Sequence, residues 1–164
     1  MSGLLDLFDS ARAARGGAPA LDALVGGRRT VLPLGAVHER ADRMARALLA
    51  RGLGPGDRVV VHLANRVEYL DLLLACLRTG IILVPANVLY RGRELGHIVS
   101  DADPALVVTS PEHVDLFGDA SRATTIEALG AEAEAFATAD AAVGTAGGGP
   151  RPPGHIRTPD ATTS

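Results

Sequence analysis

Three short apolar runs, separated by stretches with helical spacing, dominate the middle of the chain. They cover residues 58–63, 81–84 and 105–109, and each is followed within two residues by an asparagine, a proline or a serine. Residues 66–79, between the first two runs, have the spacing of a helix with one apolar face. Its predicted apolar stripe consists of Val67, Leu70, Leu74 and Leu77. Strand, helix and strand in this order predict parallel strands joined by a right-handed crossover. The pattern therefore predicts an α/β fold: a mostly parallel sheet flanked by helices.

The ends of this central helix carry sequence signals of their own. Asn65 is a predicted N-cap, and Glu68 stands three residues later in capping-box position. Gly80 predicts the end of the helix, and Pro85 ends the apolar run that follows.

Further elements are predicted on both sides of this unit. Two glycines at positions 26 and 27 separate residues 20–25 from residues 29–32 and predict a β-hairpin. A helix is predicted over residues 34–51, and its apolar stripe consists of Val37, Ala41, Met44 and Leu48. The other predicted helices cover residues 1–17, 91–100, 111–117 and 126–139, the second of them with Leu95, Ile98 and Val99 inward.

The composition changes near residue 141, where glycine, proline, threonine and serine replace large apolar residues. Such a segment cannot bury enough apolar surface to offset the entropy of ordering. We therefore predict an N-terminal helix and link over residues 1–19, a partial domain over residues 20–140, and a disordered tail over residues 141–164.

Composition narrows the class of protein. The 164 residues suit one domain or a piece of a larger one, and 47% hydrophobic with 3% aromatic residues predicts an aliphatic core. A net charge of −3 gives no electrostatic basis for binding nucleic acid. No apolar run approaches the roughly 20 residues of a membrane span, the N-terminus lacks the features of a secretion signal, and Cys76 has no cysteine to pair with. These features predict a cytoplasmic protein.

The chain contains no lysine, and all sixteen basic residues are arginine. No side chain can therefore form a Schiff base or act as a tunable ammonium acid. For the same reason, no lysine side chain can bind a phosphate group in this chain.

Two glycine-rich segments are candidates for a phosphate loop. Gly52, Gly54 and Gly56 follow a predicted helix and enter a strand, whereas a phosphate loop leads from a strand into a helix, so a turn is the favoured interpretation. The run 144–153 has no strand before it and no lysine after it, so a linker is favoured there.

Isolated polar residues also favour structural roles. The five histidines, His38, His62, His97, His113 and His155, show no metal-ligand spacing with Cys76, which has the surroundings of a core thiol. Glu68 and Asp71 share a helix face, where a cap and a solvated surface explain them better than acid–base chemistry. Asn87 follows a predicted parallel strand at the edge where α/β sheets bind ligands, although turn formation is the commoner role.

Over residues 20–117 the chain resembles the N-terminal subdomain of the AMP-forming acyl-CoA synthetases and related adenylating enzymes. The resemblance rests on the run GPGDRVVVHLANRVEYLDLLLACLRTGIILVPAN, with its Gly-x-Gly-Asp-Arg-Val turn and strand, its Leu/Ala helix and its Val-Pro-x-Asn turn. It continues in RGRELGHIVSDADPALVVTSPE and reaches back to HERADRMARALLARGLGPGD. The phrases NRVEYLDLLLACLR and NVLYRGREL are similar to the malonyl-CoA synthetase and fatty-acid CoA ligase branches.

This resemblance implies ATP-dependent activation of a carboxylic acid to an acyl-adenylate, followed by thioester formation with coenzyme A. ATP, magnesium and coenzyme A belong to the full-length family. The phosphate loop, the magnesium-binding Glu, the ribose-binding Asp and the C-terminal Lys of that family all lie downstream of the matched stretch. No catalytic, cofactor-binding or metal-binding residue is therefore assigned in this chain, and no cofactor is expected in it.

Two functions from different classes follow. The first is an N-terminal fragment of an AMP-forming acid:CoA ligase, inactive alone. The alternative is a non-catalytic α/β interaction module whose exposed apolar surface docks on another chain. An unrelated small α/β enzyme would need a convergent polar pocket, which no pattern in the sequence indicates.

Two explanations of the short chain are open: a frameshifted or mispredicted gene, and a true short protein. Codons for residues 149–157, moved forward by one base, can encode Asp-Pro-Ala-Leu-Leu-Val-Ile-Tyr. That stretch is similar to the family's segment before the phosphate loop.

Overall fold

The computed structural model describes residues 3–25, 27–118 and 122–144, with side chains as far as residue 137. The helices are α1 (Leu4–Arg15), α2 (Leu34–Ala50), α3 (Val67–Thr79), α4 (Gly92–Ala102), α5 (Ile126–Gly144) and a 3₁₀ helix (Pro111–Phe117). The strands are β1 (Pro19–Val25), β2 (Arg28–Pro33), β3 (Arg58–His62), β4 (Ile82–Pro85), β5 (Leu106–Thr109) and β6 (Ala123–Thr125).

Strands β3 to β6 form one parallel sheet in the order β4-β3-β5-β6. Val60 lies opposite Val84 on one side and Val107 on the other. The predicted parallel arrangement of the three apolar runs is confirmed, and α3 is the crossover between the first two. Strand β6 was not predicted, because three residues of Ala-Thr-Thr carry no strand signal of their own. It forms where they meet the open edge of β5, with Ala123 opposite Val107.

Two apolar layers cover the sheet. On one face, Val59, Val61 and Val108 pack with residues of α2, α3 and α5. On the other face, Val60 and Val107 pack with Leu95 of α4 and with residues of the 3₁₀ helix. Strands covered on both faces read as continuous apolar runs, which is the pattern that identified them. The fully buried hydrophobic residues of the described part include no aromatic side chain, so the predicted aliphatic core is confirmed.

The start of α3 differs from the prediction. Its N-cap is Arg66, with extended backbone, and Asn65 is exposed and caps nothing. Arg66 instead donates from Nε to the Glu68 carboxylate at 2.8 Å, so Glu68 serves an ion pair in place of the predicted capping box.

The apolar stripe of α3 is also wider than predicted. Val67 and Leu74 are buried as expected, but Leu77 is 41% exposed. The helix faces both the sheet and α2, so Leu72, Ala75 and Cys76 are buried beside the predicted positions.

The flanking elements largely follow the sequence. All four predicted stripe residues of α2 are buried, and β1 and β2 form the predicted antiparallel hairpin. The predicted helix over 111–117 is a 3₁₀ helix, and α5 extends to Gly144, past the predicted end at 139. From residue 145 onward the predicted tail lies outside the described residues.

Gly80 ends α3 in the left-handed region, with φ of 73°. Its carbonyl accepts a hydrogen bond from the Gly56 amide at 2.9 Å, and a Cβ at Gly80 would lie 3.2 Å from Cβ of Pro55. The end of α3 therefore packs closely against the turn that precedes β3.

We expect Gly80→Ala to lower the free energy of unfolding by about 1–2 kcal/mol, because a left-handed residue with a Cβ is strained. Gly96→Ala is the matched control, since Gly96 lies inside α4 with open space around it and should gain up to about 1 kcal/mol. Urea unfolding of both variants measures the difference. Equal effects in the two variants would contradict a left-handed requirement at Gly80.

Candidate functional site

The carboxyl end of β3 is the point where the connections of the sheet diverge. The chain leaves β3 toward α3 on one face, whereas β4 leads to α4 and β5 leads to the 3₁₀ helix on the other face. Open α/β sheets bind ligands in the crevice at such a position.

A cleft of about 540 Å³ opens there, and we call it the strand-end cleft. It is lined by Leu63, Ala64, Asn65, Tyr69, Pro85, Ala86, Asn87, Val88 and Tyr90. These residues include both tyrosines and both asparagines of the whole sequence, which has no glutamine. The cleft can therefore offer amide and phenol hydrogen-bonding groups on an otherwise apolar lining.

Asn87 shapes this cleft as well as lining it. Its Oδ1 accepts a hydrogen bond from the Leu89 amide at 2.9 Å, which closes a local turn. The turn role that the sequence favours for Asn87 is thus confirmed. Sequence reasoning gave Asn65 only a capping role and missed Tyr90. The position of Asn65, two residues after the first predicted strand, is a signal that could have identified it as a cleft residue.

Beside the cleft, the structure brings together two histidines that the sequence left scattered. The rings of His62 and His113 lie 5.1 Å apart, and Phe117 is 5.6 Å from His62. The Thr109 hydroxyl donates to the His62 carbonyl at 3.1 Å, so its oxygen accepts from His62 Nδ1 at 3.2 Å. Nδ1 of His62 therefore carries a proton. Burial, His113 and Arg91 lower the pKa of the ring and outweigh the backbone carbonyls of Val88 and Tyr90, which raise it, so the neutral form is favoured.

Asp71 is not on a solvated face, which corrects the sequence interpretation. It is buried, and Arg40 donates to it from Nε at 3.1 Å and from Nη2 at 2.6 Å. Burial raises the pKa of Asp71 although Arg40 opposes that rise. Glu68 has a lowered pKa, because Arg66 and Arg40 outweigh the opposing effect of burial. Both carboxylates are held by arginines, so their arrangement stabilises the packing of α2 and α3.

Cys76 is a buried thiol, as predicted, and burial raises its pKa to about 11. The thiolate that nucleophilic or metal chemistry needs is therefore not formed near neutral pH. His97, on α4, is exposed, and His155 lies outside the described residues.

The predicted turn at Gly52, Gly54 and Gly56 is confirmed. Gly52 and Gly56 have φ of 85° and 89°, and the Gly54 amide donates to the Asp57 carboxylate at 2.7 Å. Most of the glycine-rich run 144–153 lies outside the described residues.

The described residues do not fit a magnesium–ATP site. The loops after β3, β4 and β5 contain no glycine run, and β6 leads directly into α5. Within the described ranges, no three His, Cys, Asp or Glu side chains come together as a metal site requires. The same ranges contain no helix long and apolar enough to cross a lipid bilayer.

Comparison with known proteins agrees with this fold. Residues 8–155 match the AMP-binding enzyme family, so the chain belongs to that family. Salicylyl-CoA synthase / salicylate adenylyltransferase of a Streptomyces species is 44% identical over 81 residues, which are 49% of this chain and 14% of the relative. Feruloyl-CoA synthase of an Amycolatopsis species is 35% identical over 86 residues, which are 52% of this chain and 18% of the relative. The chain thus spans less than a fifth of the length of these curated relatives.

The solved structures include that of VinN in complex with 3-methylaspartate, which superposes with a TM-score of 0.75 at 25% identity. The alignment covers 84% of this chain and 38% of VinN. The α/β architecture described above is therefore that of the N-terminal region of adenylate-forming enzymes.

We expect Arg40→Gln to lower the free energy of unfolding by about 3 kcal/mol at pH 7, because it leaves the Asp71 carboxylate buried without its partner. Without Arg40 the raised pKa of Asp71 should rise further, so the folded state takes up a proton as the pH falls. The loss should therefore shrink between pH 7 and pH 4.

The control is Arg29→Gln. Arg29 donates to the Asp22 carboxylate from both Nε and Nη2, as Arg40 does to Asp71. The Asp22 side chain, however, is 46% exposed, whereas that of Asp71 is 5% exposed. Removal of Arg29 should leave stability within error of the wild type. Urea unfolding at pH 7 and pH 4 tests both variants, and a pH-independent loss in Arg40→Gln would contradict this account.

Proposed function

We propose that this chain is the N-terminal portion of an AMP-forming acid:CoA ligase and does not complete adenylation alone. In that reaction a carboxylate attacks the α-phosphate of ATP, giving an acyl-adenylate and pyrophosphate. The thiol of coenzyme A then displaces AMP. The observation that carries the proposal is the family match over residues 8–155 together with the parallel sheet in the order β4-β3-β5-β6.

The inactivity of the chain alone is argued from its residues. Stabilising charge on a transferring phosphate needs donors fixed in place, such as backbone N–H groups at a strand–glycine–helix turn, a cationic side chain and a metal ion. The sequence has no lysine, and the strand ends in the described part have neither the glycine run nor the acidic cluster. Arginine can supply charge, but it cannot replace the loop backbone.

What the chain contributes in this proposal is a rigid support with a polar strand-end cleft. Asn65 and Tyr69, from the segment after β3, and Asn87 and Tyr90, from the segment after β4, line that cleft. The segments that carry the family resemblance contribute to the packing of the fold, so they do not indicate which acyl group the enzyme would activate. The substrate is therefore proposed only as a carboxylic acid, with malonate and fatty acids among those to be tested, and the location as cytoplasmic.

The non-catalytic module remains the second candidate, favoured by exposed apolar side chains. Leu89 is 76% and Leu24 70% exposed, and Val31 lies on the same hairpin as Leu24. Such side chains can contact another chain. No described feature identifies that partner.

We expect the purified chain to release no pyrophosphate above background when supplied with magnesium–ATP and a panel of carboxylic acids, and to form no acyl-CoA when coenzyme A is added. Malonate, a fatty acid, ferulate, salicylate and 4-hydroxybenzoate form the panel. Turnover that survives repurification and disappears in an Asn87→Ala variant would overturn the proposed inactivity.

A chimera tests the positive half of the proposal. Residues 20–117 of this chain replace the matching segment of the Streptomyces salicylyl-CoA synthase, with unfolding measured to confirm that the chimera is folded. A folded chimera that forms an acyl-CoA supports the ligase assignment. A folded but inactive chimera favours the non-catalytic module.

A further inference from the structure

Helix α1 is held to the rest of the described chain by few contacts. None of its described side chains is fully buried, and Phe8, its largest apolar contact, packs half-buried beside Val37, Ala41 and Leu74. The ion pairs of α1 all lie on its side facing α2 and α3. Arg12 pairs with Asp42 of α2 at 3.3 Å, and Asp9 pairs with Arg78 of α3 at 3.5 Å. A weakly anchored helix with one polar attachment is the kind of element that opens locally.

His38 of α2 lies at the centre of that attachment. It is 1% exposed, and Arg78 Nη2 lies 2.6 Å from its Nδ1. A guanidinium has only donors, so Nδ1 must accept the hydrogen bond with its lone pair. The ring is then neutral, with its proton on Nε2, which has no partner within the described structure.

The docked arrangement disfavours a protonated His38. A proton on Nδ1 would place two donors against each other at the 2.6 Å contact with Arg78. Two carboxylates favour the protonated ring instead. They are Asp9, whose Oδ1 lies 4.0 Å from Nδ1 of His38, and Asp42. Burial, Arg78 and Arg12 outweigh them, so the pKa of His38 is lowered.

We propose that His38 makes α1 a pH-sensitive clasp, which is closed while the imidazole is neutral and releases α1 from α2 and α3 when the ring is protonated. Release uncovers the apolar surface of Val37, Ala41 and Leu74. This regulatory device goes beyond the ligase assignment and does not depend on it.

The direction of the effect follows from linkage. A histidine whose pKa is lower in the docked state than its ordinary value of about 6.5 stabilises docking fully above pH 6.5. That stabilisation is lost as the pH falls from about 6.5 through the lowered value. The clasp therefore opens on the acid side.

Fluorine NMR can test the clasp because the chain has only three phenylalanines. In protein labelled with fluorophenylalanine, the solvent isotope shift of Phe8 between H₂O and D₂O reports its exposure. We expect that shift to increase as the pH falls from 7.5 to 5.5. Phe117 serves as an internal control, because it contacts His62 and should report that titration without release of α1. A constant isotope shift at Phe8 overturns the proposal.

His38→Asn supplies the decisive variant, since its amide oxygen can accept from Arg78 and cannot titrate. We expect it to abolish the acid response at Phe8, whereas the exposed-residue control His97→Asn should keep it. An unchanged response in His38→Asn overturns the assignment to His38.

Should His38→Asn fail to fold, the exposed carboxylate of Asp9 gives a second test. Asp9→Asn should move the midpoint of the Phe8 response to higher pH, because it removes a charge that favours protonated His38 in the docked state and also removes the ion pair with Arg78. A shift to lower pH, or no shift, would also overturn the proposal.

Discussion

Burial of β3 on both faces and along both edges is the constraint on which the rest of the structure depends. Val59 and Val61 face α2, α3 and α5, while Val60 faces α4. With β4 and β5 paired at its edges, the backbone of β3 has no access to water. Helices must therefore cover both faces, and parallel neighbours require crossovers. The connections that follow β3 and β4 lead to opposite faces of the sheet, and the strand-end cleft is lined by residues of both connections.

A second constraint acts on the ion pairs: arginine is the basic residue in all of those described here, because the sequence contains no lysine. Arg40 holds Asp71 between α2 and α3, Arg51 joins α2 to Glu132 of α5, and Arg66 joins the start of α3 to Glu127 of the same helix. Arginine does not lose its proton in proteins and can bind a carboxylate through two parallel hydrogen bonds. The arginine of each of these interhelical ion pairs therefore stays charged at any physiological pH.

The histidines take the opposite role. His38 and His62 are buried as neutral rings, and in each case a single hydrogen bond sets the tautomer: Arg78 at one ring and Thr109 at the other. Because neither buried ring has an acidic group in hydrogen-bond contact, burial makes the cation unfavourable at both sites. Protonation of either buried ring is therefore disfavoured in the folded state.

Much of the fold could be predicted from the sequence because the period of its apolar residues is local information. The spacing over 58–84 identified β3, α3 and β4, glycine at position 80 marked the end of α3, and the motifs in this stretch carried the family resemblance that the match over residues 8–155 confirms.

The order of the strands, the pairing of Ala123 with Val107, the burial of Asp71 and the meeting of His62 with His113 were decided only in the tertiary structure. The start of α3 was also decided in the tertiary structure, because the N-cap residue Arg66 donates a hydrogen bond to Glu127, 61 residues away. These features depend on which elements lie side by side. The crossovers decide that, and no local spacing encodes it.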